Sequence, residues 1–524
     1  MQQRTIFLMP VVYMSNLLSP LARRLKIEQG FRVVLVVPQK SRLPNSRLFD
    51  FDLADFDEVV YCDSMHMPRP HNELPSLGTL TENAGDLEKR TGVRVLQSIR
   101  ADRMFGIDFV TTSAFHRSHY GRSADYVQTL DIALRLHEFA EGLLDRYQPE
   151  AVVGYPGNIF TMPLINLAEA RGIPMLMLWP PRRENLHTWI TDRWGWMVGL
   201  QEAYDEEFPK QLESAPKDEA PPQADEIIDM PERMRLHMQK MRRSMTVRAL
   251  LTTCYRMARE GLADRIRGRH FDYGKYVTTE KIKQVVERWF WRRRIAHEQP
   301  VLPTIAKDTR FIFMPLHVEP EASLQVEAQW ADNQLAIIGW LAKTAPAGWL
   351  VVVKEHPGQP SARINGFWEQ LRQMPNVLIA ATLEPAEALA ARADIVAVVN
   401  STVGLQAALH GKPVITYHKK YIGRLMQHVL FADSYDTTEA AIRRVISGDI
   451  PDFTVRRAAG RAYLASFKRF EFPITDPSML AGRPSREPLP QSEFDLMFRH
   501  MLETIDSVTS QPGGRQARTT QAAE

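Results

Sequence analysis

Cysteine is nearly absent: two residues in 524, Cys62 and Cys254, far apart in the chain. That excludes a disulfide framework and a cysteine-rich metal site. No uninterrupted apolar run reaches the ~18–20 residues of a membrane-spanning helix. The opening stretch MQQRTIFLMPVVYM has too short an apolar run, and no small-residue cleavage site, for a signal peptide. The expectation is therefore a cytoplasmic protein. Metal-ligand patterns are missing as well, because His116 and His119 have no acidic or cysteine partners at ligand spacing; no metal and no cofactor are expected. There is no short-period repeat. What is present is core material: 44% hydrophobic and 24% charged residues exclude disorder for the whole, and the length suits about three domains at ~150 residues each.

The net charge of +3 conceals an asymmetry. Between Pro231 and Pro300 stand 18 Lys and Arg against 7 Asp and Glu, or +11, which leaves 3 − 11 = −8 for the rest. A basic middle segment between acidic flanks suits phosphates, acidic glycans or anionic lipid, and equally suits a solvated helical linker.

Hydrophobic patterning alternates between strand and helix. Thr5–Pro10, a helical pattern over Asn16–Gln29 stopped by Gly30, and Phe31–Val37 form a parallel βαβ unit. Helix Tyr126–Tyr147, strand Ala151–Gly154, helix Phe160–Arg171 and strand Ile173–Leu178 continue a doubly wound domain over residues 1–205. Glu206–Asp225 is rich in Pro, Glu, Asp and Ala and reads as a linker or exposed loop. With the basic helical stretch it fills 206–300. A second α/β domain follows over 301–455: strands Phe311–Pro315, Trp349–Glu355, Asn376–Ala380, Asp394–Asn400 and Pro413–Tyr417, separated by helices Asp332–Lys343, Pro385–Arg392 and Thr402–His410. Helices over 456–506 and a small, polar tail over 507–524 complete the chain. Two such domains leave a cleft, with ligands at the carboxyl ends of the strands.

The chemistry-bearing residues cluster at those ends in the second domain. Lys354, Glu355, His356 and Pro357 stand where WLVVVKE stops. Pro357 disfavours helical geometry at His356, and a histidine beside a lysine can stabilise a departing phosphate. A structural loop is the alternative. Asn400, Ser401, Thr402, Val403 and Gly404 open a helix after DIVAVVN, where hydroxyls and unpaired N–H groups form an anion site or simply an N-cap. Gly404 would let a phosphate or sugar approach the backbone. After the first strand, His317, Glu319 and Glu321 suit sugar hydroxyls or proton transfer, or else stand solvated.

These segments, PLHVEPEAS, VVVKEHPGQPSAR, NVLIA and ADIVAVVNSTVGLQAALHGKPVITY, resemble the capsule polysaccharide biosynthesis family, which includes transferases of 3-deoxy-D-manno-octulosonic acid (Kdo). Polysialyltransferases and glycerophosphate polymerases of the teichoic acid type share the His-Pro and Ser/Thr-x-Gly elements. The resemblance spans residues 311–417, a fifth of the chain. It implies an α/β, GT-B-like glycosyltransferase: two Rossmann-like doubly wound domains facing a cleft, donor on the C-terminal one, acceptor nearer the N-terminal one. Donor binding would fall to Lys354, His356, Ser401, Thr402, Gly404 and Gln406. Relatives commonly have Glu at the last position, so nucleotide preference stays open. Catalytic roles would fall to His356, Asp102 and Glu319. Arg103, Arg182 and Arg183 would contact the acceptor or an anion.

The resulting expectation is a transferase moving a sugar, first a CMP-activated acidic sugar such as Kdo, from a nucleotide donor to a capsular or other surface polysaccharide or its lipid-linked starter. Glycerophosphate or UDP-sugar transfer on the same fold, and a noncatalytic assembly or export partner, are the alternatives. The expected partners are the nucleotide-sugar donor and a glycan or glycolipid acceptor, but no nucleic acid. The basic segment would hold the protein peripherally at an anionic membrane surface, on the inner face of the plasma membrane.

Overall fold

The structure, a computed structural model, describes residues 4–10, 12–37, 52–62, 69–101, 125–157, 159–180, 185–216, 246–266, 278–295, 297–319, 321–359, 363, 366–476, 480 and 489–509. The N-terminal half contains β1 (Thr5–Leu8), α1 (Leu18–Gln29), β2 (Arg32–Val37), β3 (Glu58–Tyr61), α2 (Leu77–Thr91), α3 (Tyr126–Tyr147), β4 (Ala151–Val153), α4 (Thr161–Ala170), β5 (Met175–Trp179), β6 (Leu186–Ile190) and α5 (Leu200–Glu213). β3-β2-β1-β4-β5 run parallel in that order, and β6 joins β5 antiparallel. Buried on both faces, these strands must read as near-continuous apolar runs, as TIFL and MLMLW do. Asp125 starts α3 with a reciprocal capping box to Gln128.

Two basic helices follow, α6 (Val247–Ile266) and α7 (Thr278–Ile295), packed along each other. The second sheet contains β7 (Phe311–Pro315), β8 (Leu350–Lys354), β9 (Val377–Ala380), β10 (Ile395–Val398), β11 (Val414–Thr416) and β12 (Val429–Phe431). Its helices are α8 (Gln334–Thr344), α9 (Phe367–Arg372), α10 (Ala386–Arg392), α11 (Thr402–Leu409) and α12 (Tyr435–Ile446). All six strands are parallel in the order β12-β11-β10-β7-β8-β9. Counted within the domain that is 6-5-4-1-2-3, the Rossmann order, with its switch point between β7 and β10.

The C-terminal segment returns to the first domain. α13 (Phe453–Phe467) packs along α5 and also touches α11. β13 (Phe472–Pro473) then pairs antiparallel with β6. In α14 (Gln491–Thr509), Phe494, Met497, Phe498 and Met501 bury against Ile6, Leu8 and Leu178 of the first sheet. One apolar cluster runs from Phe7 and Val152 through Tyr204, Tyr463 and Phe467 to Phe311 and Val396, so the two sheets share a continuous core.

The expected linker over Glu206–Asp225 is corrected in its first part. α5 runs on to Glu213 through Pro209. Proline removes one helical hydrogen bond, but burial of Leu200, Ala203 and Tyr204 and a Glu206–Arg469 ion pair hold the helix against the α13 segment. Burial therefore overrides propensity. The rest of that stretch lies outside the described residues.

Candidate active site at the carboxyl edge of the second sheet

Six loops leave the carboxyl edge of the second sheet, one after each of β7 to β12. Arg363 ties the first two together. Its fully buried side chain makes a two-pronged contact with Glu355, Nε to Oε2 and Nη2 to Oε1, both 2.7 Å. It also pairs with Glu319 at 2.9 Å and donates to the His317 carbonyl at 2.7 Å. Gln334 and Gln359 complete the network: Gln334 Oε1 accepts from His317 N–H, and Gln359 accepts from Glu319 N–H and donates to its carbonyl. Burial raises the Glu319 carboxyl, only partly offset by Arg363. Burial would lower the Arg363 guanidinium, but Glu355 and Glu319 outweigh it.

Glu319 is therefore not the loop acid expected for proton transfer. It is 2% exposed and occupied by Arg363 and Gln334. Lys354 also departs from the expected phosphate contact. Its buried Nζ donates to the carbonyls of Thr382 (2.9 Å) and Glu355 (3.1 Å), bracing the β8 loop against the β9 loop, and burial lowers its pKa to about 8.

His356 does stand in the loop, half-buried. Its Nδ1 accepts from the Gly358 N–H at 2.9 Å, so the neutral ring carries its proton on Nε2, where it acts as a donor. A Cβ on Gly358 would lie 3.0 Å from this ring. The His356 N–H donates to Glu355 Oε1 at 2.7 Å, tying the loop to the arginine network beneath it.

The helix start forms as expected in part. Ser401 caps α11, accepting from Val403 N–H at 3.2 Å, and its carbonyl accepts from the Tyr421 hydroxyl. Thr402 follows in the first turn, and Gln406 is half-buried one turn on. Gly404 has a different role from the one expected. A Cβ there would fall 2.6 Å from Val398 Cγ2, so its missing side chain lets α11 press onto β10 and opens no space for ligand. The His356 loop and the Ser401 turn are linked through His317, whose Nε2 accepts from Asn400 N–H at 3.0 Å. His317 is thus a brace between loops.

The first domain meets this edge through residues the sequence reading missed. Trp194 Nε1 donates to the Glu327 carbonyl (3.1 Å) and Trp196 Nε1 to the Lys420 carbonyl (2.8 Å). Arg100 pairs with Asp332, and Lys420 Nζ lies 4.2 Å from the Trp194 ring centre. Asp192 accepts from the N–H groups of Trp194 and Trp196, and burial pushes its pKa up to about 6. His418 donates from Nε2 to the Glu327 carbonyl, and burial lowers it to about 4. No motif marks these positions, since their roles exist only once two domains meet. Asp102, Arg103, Arg182 and Arg183 lie outside the described residues.

Where α7 meets the β9 edge, a cavity of about 360 Å³ is lined by Trp291, Arg294, Glu298, Glu355, Trp368 and Arg372, among others. Glu298 accepts from the Thr382 N–H and Glu355 from Arg363. Arg294 has no carboxylate partner among the described residues. Two indoles and two guanidiniums suit a saccharide bearing an anionic group. Among the described residues no group of His, Cys, Asp and Glu could hold a metal ion.

Two Rossmann-like parallel-sheet domains sharing one core, with loops at the carboxyl edge of the second, make a GT-B-like architecture. Residues 217–422 match the family described as capsule polysaccharide biosynthesis protein, a segment of about two fifths of the chain. The matched segment takes in α6 and α7. No curated protein matches the chain by sequence. Among solved structures it is similar to the KpsC beta Kdo 2,7 transferase of Thermosulfurimonas dismutans, at 13% identity over 70% of this chain and 89% of that one, TM-score 0.31. It is likewise similar to a UDP-GlcNAc 2-epimerase from Neisseria meningitidis, at 12% identity over 89% and 99%, TM-score 0.25. A glycosyltransferase from Rickettsia africae gives 9% identity over 98% and 100%, TM-score 0.28. At such values these likenesses carry no argument about donor or acceptor.

Proposed function

We propose that this protein transfers a sugar from a nucleotide donor held on its C-terminal domain to a capsular or other surface polysaccharide or its lipid-linked starter. The observation that carries the reading is the bridge from the His356 loop, through Glu355, Arg363 and His317, to the helix start at Asn400–Ser401. Two groups suited to a nucleoside monophosphate or diphosphate leaving group are thereby held at one sheet edge. His356 donates from Nε2 to the departing phosphate without having to be protonated, and the α11 start stabilises its charge. Lys354 holds the β8 and β9 loops in place for this.

A CMP-activated acidic sugar such as Kdo is the donor assigned first. The family's Kdo transferases motivate that choice, and the cationic, indole-walled cavity suits an acidic saccharide as acceptor. Asp192, in the first-domain loop that meets this edge through Trp194 and Trp196, is one carboxylate assigned to take the acceptor proton. Asp102 remains the other proposal for this role.

A donor screen tests the reading. The purified protein is heated with CMP-, UDP-, GDP- and CDP-linked donors, and slow donor hydrolysis is followed in parallel. Protection by CMP donors alone supports the assignment. Protection by UDP donors or CDP-glycerol moves the chain to the alternative transfer reaction, and protection by none of them removes the donor site.

A further inference from the structure

Helix α6 carries an apolar stripe that no other described element covers. Val247, Leu251, Tyr255, Leu262 and Ile266 are 53%, 63%, 70%, 61% and 78% exposed. At roughly 100° per residue these five positions fall within an arc of about 100° on the helix. The face carrying Leu250, Thr253 and Met257 is half-buried, where α6 packs along α7. The stripe is thus a second apolar face, additional to the one that folds the helix pair.

Its rim is cationic. Arg248 and Arg259 flank one edge of the arc and Arg265 the other, all exposed. The helix's two acids, Glu260 and Asp264, take positions about 150° or more from the centre of the arc. Together α6 and α7 contain ten Lys and Arg against four Asp and Glu. A second copy docked on this face would set arginine against arginine. An anionic lipid surface satisfies both features at once, with apolar side chains at the acyl boundary and guanidiniums among the phosphates. No helix among the described residues is long and apolar enough to cross a membrane, so the contact is one of lying in the interface.

We propose that α6 inserts its Val247–Ile266 stripe into the surface of an anionic phospholipid bilayer. This goes beyond adsorption by net charge, which salt would strip. It does not depend on the donor. It also gives the architecture a direction: α7 runs from the membrane-bound helix to the cavity wall, where Trp291 and Arg294 stand. A lipid-linked acceptor would then reach the cavity from the same surface.

The test is co-sedimentation of the whole protein with vesicles of phosphatidylcholine alone, or with about one third phosphatidylglycerol, at ~0.1 M and ~0.5 M salt. The protein should prefer the anionic vesicles and keep measurable binding at high salt. Leu251→Glu combined with Leu262→Glu should weaken binding at least about tenfold at both salts, with circular dichroism and Tm unchanged. Arg248→Gln with Arg259→Gln should remove only the salt-sensitive part. Full binding by the stripe variant would overturn insertion in favour of adsorption. Absence of vesicle binding, together with a dimer in light scattering that the stripe variant breaks, would assign the face to a second copy and overturn the proposal.

Discussion

The backbone N–H of Asn400 donates to Nε2 of His317 across 3.0 Å, and this bond fixes the histidine's tautomer as well as the distance between two loops. With Nε2 accepting, the ring proton is on Nδ1, which lies 4.0 Å from Glu321 Oε2. The loops come from β7 and β10, the strands flanking the switch point. A lone histidine after FIFMP thus positions the helix start from the neighbouring loop.

His356→Ala should lower turnover by roughly a hundredfold, since one preorganised donor at a developing charge contributes about 3 kcal/mol. Gly358→Ala is the finer probe. Gly358 is exposed, so folding should change little, yet the new methyl group would crowd the His356 ring. Turnover should fall about tenfold at unchanged Tm. Normal turnover in both variants would remove His356 from the mechanism.

Replacing Arg363 by Met leaves Glu319 and Glu355 buried without their cation. Urea unfolding should show a loss of about 3–5 kcal/mol. Glu319→Gln should cost clearly less, because Glu355 keeps its contact with the arginine. A loss under about 1 kcal/mol for Arg363→Met would mean that the loops are held by other contacts.

Burial of Lys354 gives a pH signature. Its folded pKa, about 8, lies below the value near 10.4 of a free lysine. Between those two values the unfolded chain binds the proton that the folded chain has released, so stability from this group rises with pH. Unfolding free energies of wild type relative to Lys354→Met should therefore climb between pH 8 and pH 10. A flat difference would show that Lys354 titrates as in water.

Arg294→Gln with Arg372→Gln tests the cavity. KM for an acidic acceptor should rise roughly tenfold, with the donor-induced Tm shift unaltered. A matching loss of donor protection would move the cavity to the donor side.

The second sheet was legible because its strands are buried on both faces and each sits between helix signals: FIFMP is β7 residue for residue. β3, β6, β12 and β13 were not read from the sequence. Strands of two to five residues at or next to a sheet edge carry little periodicity, and β13 exists only because β6 is beside it. The site followed the same division. Its loops were placed at the right edge, but Lys354 and Glu319 looked like ligand groups because their polarity is visible in sequence and their burial is not. The partner that buries Glu319, Arg363, sits in GQPSAR with nothing local to mark it. Gly404 illustrates the ambiguity of glycine, which serves a ligand or a neighbouring strand equally well; here Val398 occupies the space.

The return of the C-terminal segment has a mechanical consequence. The chain passes between the domains twice, once after α5 and again around α13, where Arg457 grips the Leu409 carbonyl and Arg456 the Gly411 carbonyl at the far end of α11. Two attachments and a shared core restrain the domains from sliding or twisting freely past each other. α11 is thus held at one end by the returning segment and at the other by the Tyr421 hydroxyl on the Ser401 carbonyl, a short strut pinned at both ends.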